Sequence, residues 1–340
     1  PGVSITVQTE SPDDIIWLRE FLCPWFDSAP TLSTVPDVTV RVVCDAQRHD
    51  ELRTGDAGPE QIVAFMMDTK VIHYPVCTGP AGHRTFLDES RNVFFQLNDT
   101  GVDLICHDQA ADYRLLLMRV IREYAMGAAQ AAGGRFLHAA AVAIGTRALL
   151  VTGPRGAGKT SLLTCLLGRP KVKFLANDRV LVTSQEQGAN LRGMPTVVSI
   201  RDGTLKLFPA LRGSLQASRF NSRATVAASR HNSGTPAGGQ RPGKKGLSPA
   251  QYCSLLGRTP VRNAAAAAVV LPVQTGQAGG IVLHPLQRAD AGAQLRQGLF
   301  ERITPERPSE AFTKRLAEGA RKVSWTDQAF LAHLANNIPA

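Results

Sequence analysis

The sequence is poor in aromatic residues (6%), and its six cysteines, at positions 23, 44, 77, 106, 165 and 253, are scattered. No C-x-x-C pair or ligand-like cluster occurs. That argues against a disulfide framework or a structural zinc site and fits a reducing compartment. No apolar run approaches the roughly twenty residues of a membrane span, so no membrane partner is expected. The opening Pro1-Gly-Val-Ser-Ile-Thr-Val has neither a basic n-region nor an apolar h-region, so no secretory signal is expected, and with the scattered cysteines the expected location is cytoplasmic. Acids are nearly missing from one long stretch. From Arg201 to Arg262 eleven Lys or Arg residues meet a single acid, Asp202, and this stretch holds the chain's whole net charge of +10. Two readings stay open for it: a solvated loop, or an electropositive surface for an acidic or phosphorylated partner or for the nucleotide itself. Nucleic acid is the less favoured partner, because no aromatics are interleaved and no nucleic-acid-binding module is recognisable. Nothing in the sequence argues against a homo-oligomer.

What is present points first to a phosphate. Val151-Thr-Gly-Pro-Arg-Gly-Ala-Gly-Lys-Thr-Ser fits G-x-x-x-x-G-K-[ST], with an apolar strand at 148–151 before it and a helix-forming run at 159–167 after it. Glycines at 153, 156 and 158 let the backbone bring its N–H groups onto phosphate oxygens, and the helix start adds partial positive charge. The expected nucleotide-binding set is Gly153, Pro154, Arg155, Gly156, Ala157, Gly158, Lys159, Thr160 and Ser161. Lys159 would reach the β- and γ-phosphates of ATP, and the Thr160 hydroxyl would join Mg²⁺.

A length of 340 residues suggests about two domains. Residues 1–108 read as a β-rich domain: short strands at 4–7, 38–43, 62–66, 71–74, 84–87, 92–97 and 102–106, with turns every eight to twelve residues, predict a compact antiparallel sheet. A turn is expected at Asp68-Thr69, and Ser11-Pro12 opens a helix through Phe21. His49, His73, His83 and His107 are isolated and read as surface or packed histidines. A long amphipathic pattern over 111–132, stopped by Gly133-Gly134, predicts a connecting helix within 109–134. The second domain, 135–340, holds the loop. There 136–144 and the strand before the loop predict a hairpin through Gly145-Thr146, which places His138 beside the loop strand. Lys173-Phe-Leu-Ala ends at Asn177-Asp178, where a second acid on the Mg²⁺ side is expected. Further sheet is expected at 179–182, 194–200, 203–207 and 264–273, and helices from Ser248-Pro249, over 290–299 and over 325–336. A flexible basic loop is expected at about 214–246, as a lid or substrate-binding segment.

His138, the hairpin, the loop and Asn177-Asp178-Arg179-Val180 together resemble HPr kinase/phosphorylase and related serine kinases. That group is similar in a histidine fifteen residues before the first loop glycine, a Gly-x-x-Gly-x-Gly-Lys-[Ser/Thr] loop, and an Ala-Asp-Asp-Arg-Val segment about eighteen residues on. The matching stretch covers about 136–182. The resemblance implies an α/β (α+β) fold: a P-loop kinase core related to phosphoenolpyruvate carboxykinase, with the N-terminal β-rich domain attached. It also implies ATP and Mg²⁺ as cofactors and a Ser or other hydroxyl of a peptide or protein as acceptor, including precursors of ribosomal peptide products. The expected catalytic set is Asp178, Lys159, His138 and Asn177, with Thr160 and Asp178 on the metal. Arg155 and Arg179 are candidates for neutralising phosphate charge. One departure bears on the chemistry: the first of the family's tandem acids is here Asn177, which cannot accept a proton usefully at neutral pH. Either Asp178 serves as base and metal ligand, or the loose transition state demands little deprotonation. The remaining alternatives are a nucleotide-binding regulatory or partner-recognition protein with little or no catalysis, and a small-molecule kinase.

Overall fold

A computed structural model describes residues 2–30, 35–55, 57–66, 70–78, 84–89, 91–108, 113–154, 156–185, 188–217, 244–273 and 282–298. The expected turn at Asp68-Thr69, the loop residue Arg155, His83, most of the expected basic loop (218–243) and the expected helix over 325–336 lie outside the described residues. The fold is mixed α+β, with several sheets and helices α1–α8 among the described residues. No described helix is long and apolar enough to cross a membrane.

The first sheet runs β1 (Ile5–Gln8), β2 (Val38–Cys44), β7 (Gly101–Cys106), β6 (Val93–Asn98), β5 (Arg84–Asp88), β4 (Lys70–Thr78) and β3 (Ala57–Met66). It is mixed rather than antiparallel: β1, β2 and β7 are mutually parallel, and only the meander from β3 to β7 is antiparallel. The reason lies in helix α1 (Pro12–Leu22), which is long enough to carry the chain back over the sheet and so makes β1–α1–β2 a parallel crossover. Ser11 supplies an extended N-cap residue, Pro12 the first helical position, and Asp13 and Asp14 the acidic first turn. A short helix not read from the sequence, α2 (Ala46–Thr54), follows β2; the Asp45 carboxylate caps it by accepting from the Arg48 N–H at 2.9 Å.

Helix α3 (Arg114–Ala131) is more than a connector. Its Leu115, Leu116, Leu117, Met118, Val120, Ile121 and Tyr124 join Trp17, Phe21, Val40, Phe95 and Leu104 in one buried cluster, so α1 and α3 together cover one face of the sheet. Leu52 of α2 covers the other face with Phe94 and Ile105. Further along α3, Met126 packs with Phe136, Leu181 and Met194 and carries the first core into the second.

The second sheet contains β8 (Arg135–Ile144), β9 (Arg147–Thr152), β10 (Val172–Ala176), β11 (Arg179–Gln185), β12 (Gly188–Met194) and β15 (Asn263–Val270). The expected β8–β9 hairpin forms, from Ile144↔Arg147 to Ala139↔Thr152. The ladder then continues β8–β11–β12–β15–β9, so five strands close a circuit. Alternate residues of every strand in it, among them Leu137, Ala139, Ala141, Ala148, Leu150, Val180, Leu191 and Ala264, meet in one cluster. Alanine at so many of these positions keeps the enclosed volume small enough to be filled by side chains. The opposite face, through Ala140, Val142 and Val151, receives Leu163 and Leu167 of α4 (Lys159–Leu167) and Tyr252 of α7 (Pro249–Leu255).

Two expectations for the region after β12 change. Residues 203–207, expected as strand, belong to helix α5 (Asp202–Leu207); Leu205 is buried while Leu207 is exposed, so the two-residue alternation does not mark a face. The described ends of the expected 214–246 loop are regular: α6 spans Pro209–Ala217, and β14 (Lys244–Leu247) pairs antiparallel with β13 (Val198–Arg201). Helix α8 (Arg288–Gly298) contributes Leu295 to the closed-sheet core.

The halves are fastened by the residues after α1. Trp25 is 1% exposed and lies in the second core, edge-on to Phe174 at 5.8 Å, with its indole N–H donating to the Leu175 carbonyl at 2.9 Å. Gly193 makes room for it, since a Cβ there would sit 2.3 Å from the indole nitrogen and 2.0 Å from the Leu175 oxygen. Arg262 clamps the same segment, donating to the Pro24 carbonyl at 2.7 Å and to both oxygens of Asp27 at 2.6 and 3.0 Å.

Candidate functional site

Strand β9 ends at Thr152, the 153–160 loop follows, and α4 begins at Lys159, which is the strand–loop–helix order the motif requires. Gly156 (φ 89°) and Gly158 (φ 94°) are left-handed, and Gly158 is the N-cap of α4, so side chains there would strain the turn that aims the helix. Lys159 folds back over the loop: its ammonium donates to the carbonyls of Gly153 at 2.7 Å and Pro154 at 3.1 Å. Thr160 and Ser161 follow in the first turn, and the Ser161 hydroxyl pairs with Thr204 of α5 at 3.0 Å. Deeper in the helix, Thr164 shares a 2.8 Å hydrogen bond with the buried Tyr252 hydroxyl, which fixes the back of α4.

A second group of residues gathers where β10 hands over to β11. Both strands run antiparallel to β8, β10 along its second half and β11 along its first, and Asn177-Asp178 forms the corner between them. Arg179 stands in register with His138. His138 Nδ1 lies 3.2 Å from Asp178 Oδ1, and Arg179 Nε lies 3.9 Å from Asp178 Oδ2. Ala139 of β8 links this corner to the loop, because its N–H donates to the Asp178 carbonyl at 3.0 Å while its register partner is Thr152. The Thr152 hydroxyl in turn donates to the His138 carbonyl at 3.2 Å. The root of the loop and the acid corner are thus tied to the same stretch of β8.

Asn177 faces elsewhere. Its amide nitrogen donates to the Val197 carbonyl at 3.2 Å, and its amide oxygen accepts from the Thr196 hydroxyl at 3.1 Å. An amide can meet both demands at once, whereas a carboxylate would set an acceptor against the Val197 oxygen.

No family model and no curated protein matches the chain.

Burial works against the Asp178 charge, but the electrostatic pull of His138, then Arg179 and Arg122, outweighs it and holds the carboxyl at about 2. Asp178 is accordingly an anion throughout the neutral range: a good hard-cation ligand and a weak base. Behind Arg179 stands Glu123 of α3, whose Oε1 takes the Arg179 guanidinium and the Arg122 guanidinium, each at 3.2 Å. Burial opposes the Glu123 charge too, yet Arg179, Arg122 and Arg119 bring its pKa down to about 2. Burial lowers Arg122 to about 9, with the Arg179 charge acting in the same direction.

Asp178 and Thr160 offer the donors Mg²⁺ prefers, one carboxylate and one hydroxyl. Such an ion keeps several waters and takes its remaining ligands from substrate phosphates. Among the described residues no three His, Cys, Asp or Glu side chains converge as a protein-only metal cage, and a phosphate-bound Mg²⁺ needs none.

Sequence reasoning named His138, Asp178, Arg179, Lys159 and the loop, but missed Glu123 and Arg122. The available signal was a charged pair inside a helix whose other residues are largely apolar. Two cations of the basic stretch have local partners. Arg258 donates to the Leu167 and Gly168 carbonyls at the C-terminus of α4, where a cation complements the helix dipole, and Arg262 holds Asp27.

Proposed function

We propose that the chain is an ATP-dependent, Mg²⁺-requiring kinase that passes the γ-phosphate to a Ser or other hydroxyl of a peptide or protein. The observation that supports this most is the His138–Asp178 pair, held by β8 beside the root of the 153–160 loop. Bound ATP with Mg²⁺ supplies the transferable phosphoryl group and neutralises charge on its oxygens. The loop amides and the N-terminus of α4 cradle the phosphates, and Lys159 exchanges the Gly153 and Pro154 carbonyls for phosphate oxygens. Thr160 and Asp178 hold the metal. The acceptor oxygen bonds to the γ-phosphorus as the bond to the ADP oxygen breaks. Because Asp178 is a weak base, its part is to orient the hydroxyl and the metal, and the hydroxyl proton leaves late, to an oxygen of the transferred phosphoryl group or to water, as a loose transition state allows. His138 fixes the carboxylate from the opposite strand.

Asn177 favours a second reading. Its amide is committed to Thr196 and Val197, so no second acid stands at the corner. A nucleotide-binding protein with little or no phosphotransfer would look the same there.

The test is ADP release with Mg²⁺ and ATP, alone and across a panel of Ser-containing peptides, proteins and small hydroxyl compounds. The kinase reading expects acceptor-dependent release that Lys159→Ala and Asp178→Asn abolish. ATP binding without ADP from any acceptor selects the second reading.

A further inference from the structure

The charged side chains behind Asp178 belong to the other half of the protein. Helix α3 is seated in the first core through Leu115–Tyr124 positions, yet its Glu123 carboxylate points to the second sheet and takes Arg179 at 3.2 Å. Glu123 and Arg179 are 14% and 17% exposed, so their attraction is weakly screened. Met126 Sδ, one turn further along α3, takes the same Arg179 nitrogen at 3.1 Å. Toward Asp178, Arg179 presents Nε at 3.9 Å, beyond hydrogen-bond distance. The guanidinium is thus drawn toward α3 and stops short of the carboxylate beside it in sequence.

We infer that Glu123 is a positioning residue that holds the Arg179 guanidinium off Asp178, leaving that carboxylate open to the magnesium ion of a bound nucleotide. An Arg and a carboxylate that close fully do so through two parallel hydrogen bonds, which would occupy both oxygens of Asp178. His138 Nδ1 stands 3.2 Å from Oδ1 and Arg179 faces Oδ2, so Oδ2 is the oxygen that Arg179 and a metal would contest. Removing the Glu123 charge takes away the pull toward α3, and Arg179, already 3.9 Å from Asp178 Oδ2, closes on that carboxylate. The N-terminal half thereby contributes to the phosphate site without touching the phosphate. This rests on the reading of Asp178 as a magnesium ligand.

The test measures binding of a non-hydrolysable ATP analogue by calorimetry, with and without Mg²⁺, and takes the ratio as the metal-dependent gain. Glu123→Gln is expected to lose about 10- to 100-fold of that gain, the range for residues that orient a metal ligand, with metal-free affinity unchanged. Glu123→Gln combined with Arg179→Gln is expected to recover it, since the competing cation is gone. A merely structural role would lower both affinities together and would not be rescued by the second substitution. Full gain in Glu123→Gln, or no recovery in the double variant, overturns the proposal. Should Glu123→Gln fail to fold, Arg179→Gln alone decides: retained gain supports the proposal and lost gain overturns it. A wild type without any metal-dependent gain also overturns it. A wild type with the gain but no phosphate transfer to any acceptor removes the kinase reading and leaves the role of Glu123 standing.

Discussion

His138 and Asp178 meet across the β8–β11 ladder, imidazole Nδ1 to carboxylate Oδ1 at 3.2 Å, though forty residues separate them in the chain. The contact depends on the corner at 177–178, which lets the Asp178 side chain leave the ladder while its carbonyl stays bonded to the Ala139 N–H. His138→Ala removes the side chain and keeps the strand. It is expected to lower kcat for phosphotransfer by about 10²-fold, within the range for a positioned polar group in the transition state. Nucleotide affinity should change little, since the loop keeps its own bonds. Steady-state kinetics beside analogue titration checks the split.

Asn177→Asp recreates the tandem acids of the resembled kinases, and it is expected to fail as a gain of function. The new carboxylate would face the Val197 carbonyl at the 3.2 Å where the amide now donates. Leaving that acceptor unpaired costs about 1–3 kcal/mol. The expected result is a lower denaturation midpoint with no rise in turnover, measured on the same preparation.

Acid should loosen the junction between the cores. The Glu123 pKa of about 2 lies below its unfolded value of about 4.3. The unfolded chain therefore binds the proton first as pH falls. Glu123 contributes full stability above about pH 5 and loses it progressively toward pH 2. Chemical denaturation at steps from pH 7 to pH 3 should show a decline that is shallower in Glu123→Gln, whose starting stability is lower.

Trp25→Ala empties a fully buried indole site and removes the hydrogen bond to Leu175. The expected cost is about 3–5 kcal/mol, the usual range for a large aromatic in a core. Denaturant melts followed by the fluorescence of the remaining tryptophans measure it.

How far the sequence could be read depended on the distance over which each contact acts. The loop, the hairpin and the Ser11–Pro12 helix start rest on residues within a few positions of one another, where turn and cap chemistry is local. The sheet of the first half was read as antiparallel because its strands are short and evenly spaced; the order β1–β2–β7 is set by long-range packing under α1 and α3. Residues 203–207 alternate like a strand, but burial of Thr204 with Leu205 selects a helical turn. At the site, Asp178 and His138 were legible as a pattern. Glu123 was not, because nothing near it in sequence shows that a helix of one core delivers its carboxylate to the other.

Trp25 also limits how this protein can be rearranged. The segment that fills the second core is encoded before most of the first sheet, and its partners Phe174, Leu175, Gly193 and Arg262 come from distant parts of the chain. A gene fragment starting at the loop's own hairpin would carry the nucleotide motif but arrive with an unfilled indole pocket and an unpartnered Arg262. Shuffling of the loop-bearing half among other proteins should therefore move the N-terminal helix with it or fail, and truncations meant to isolate that half need to retain residues 12–27.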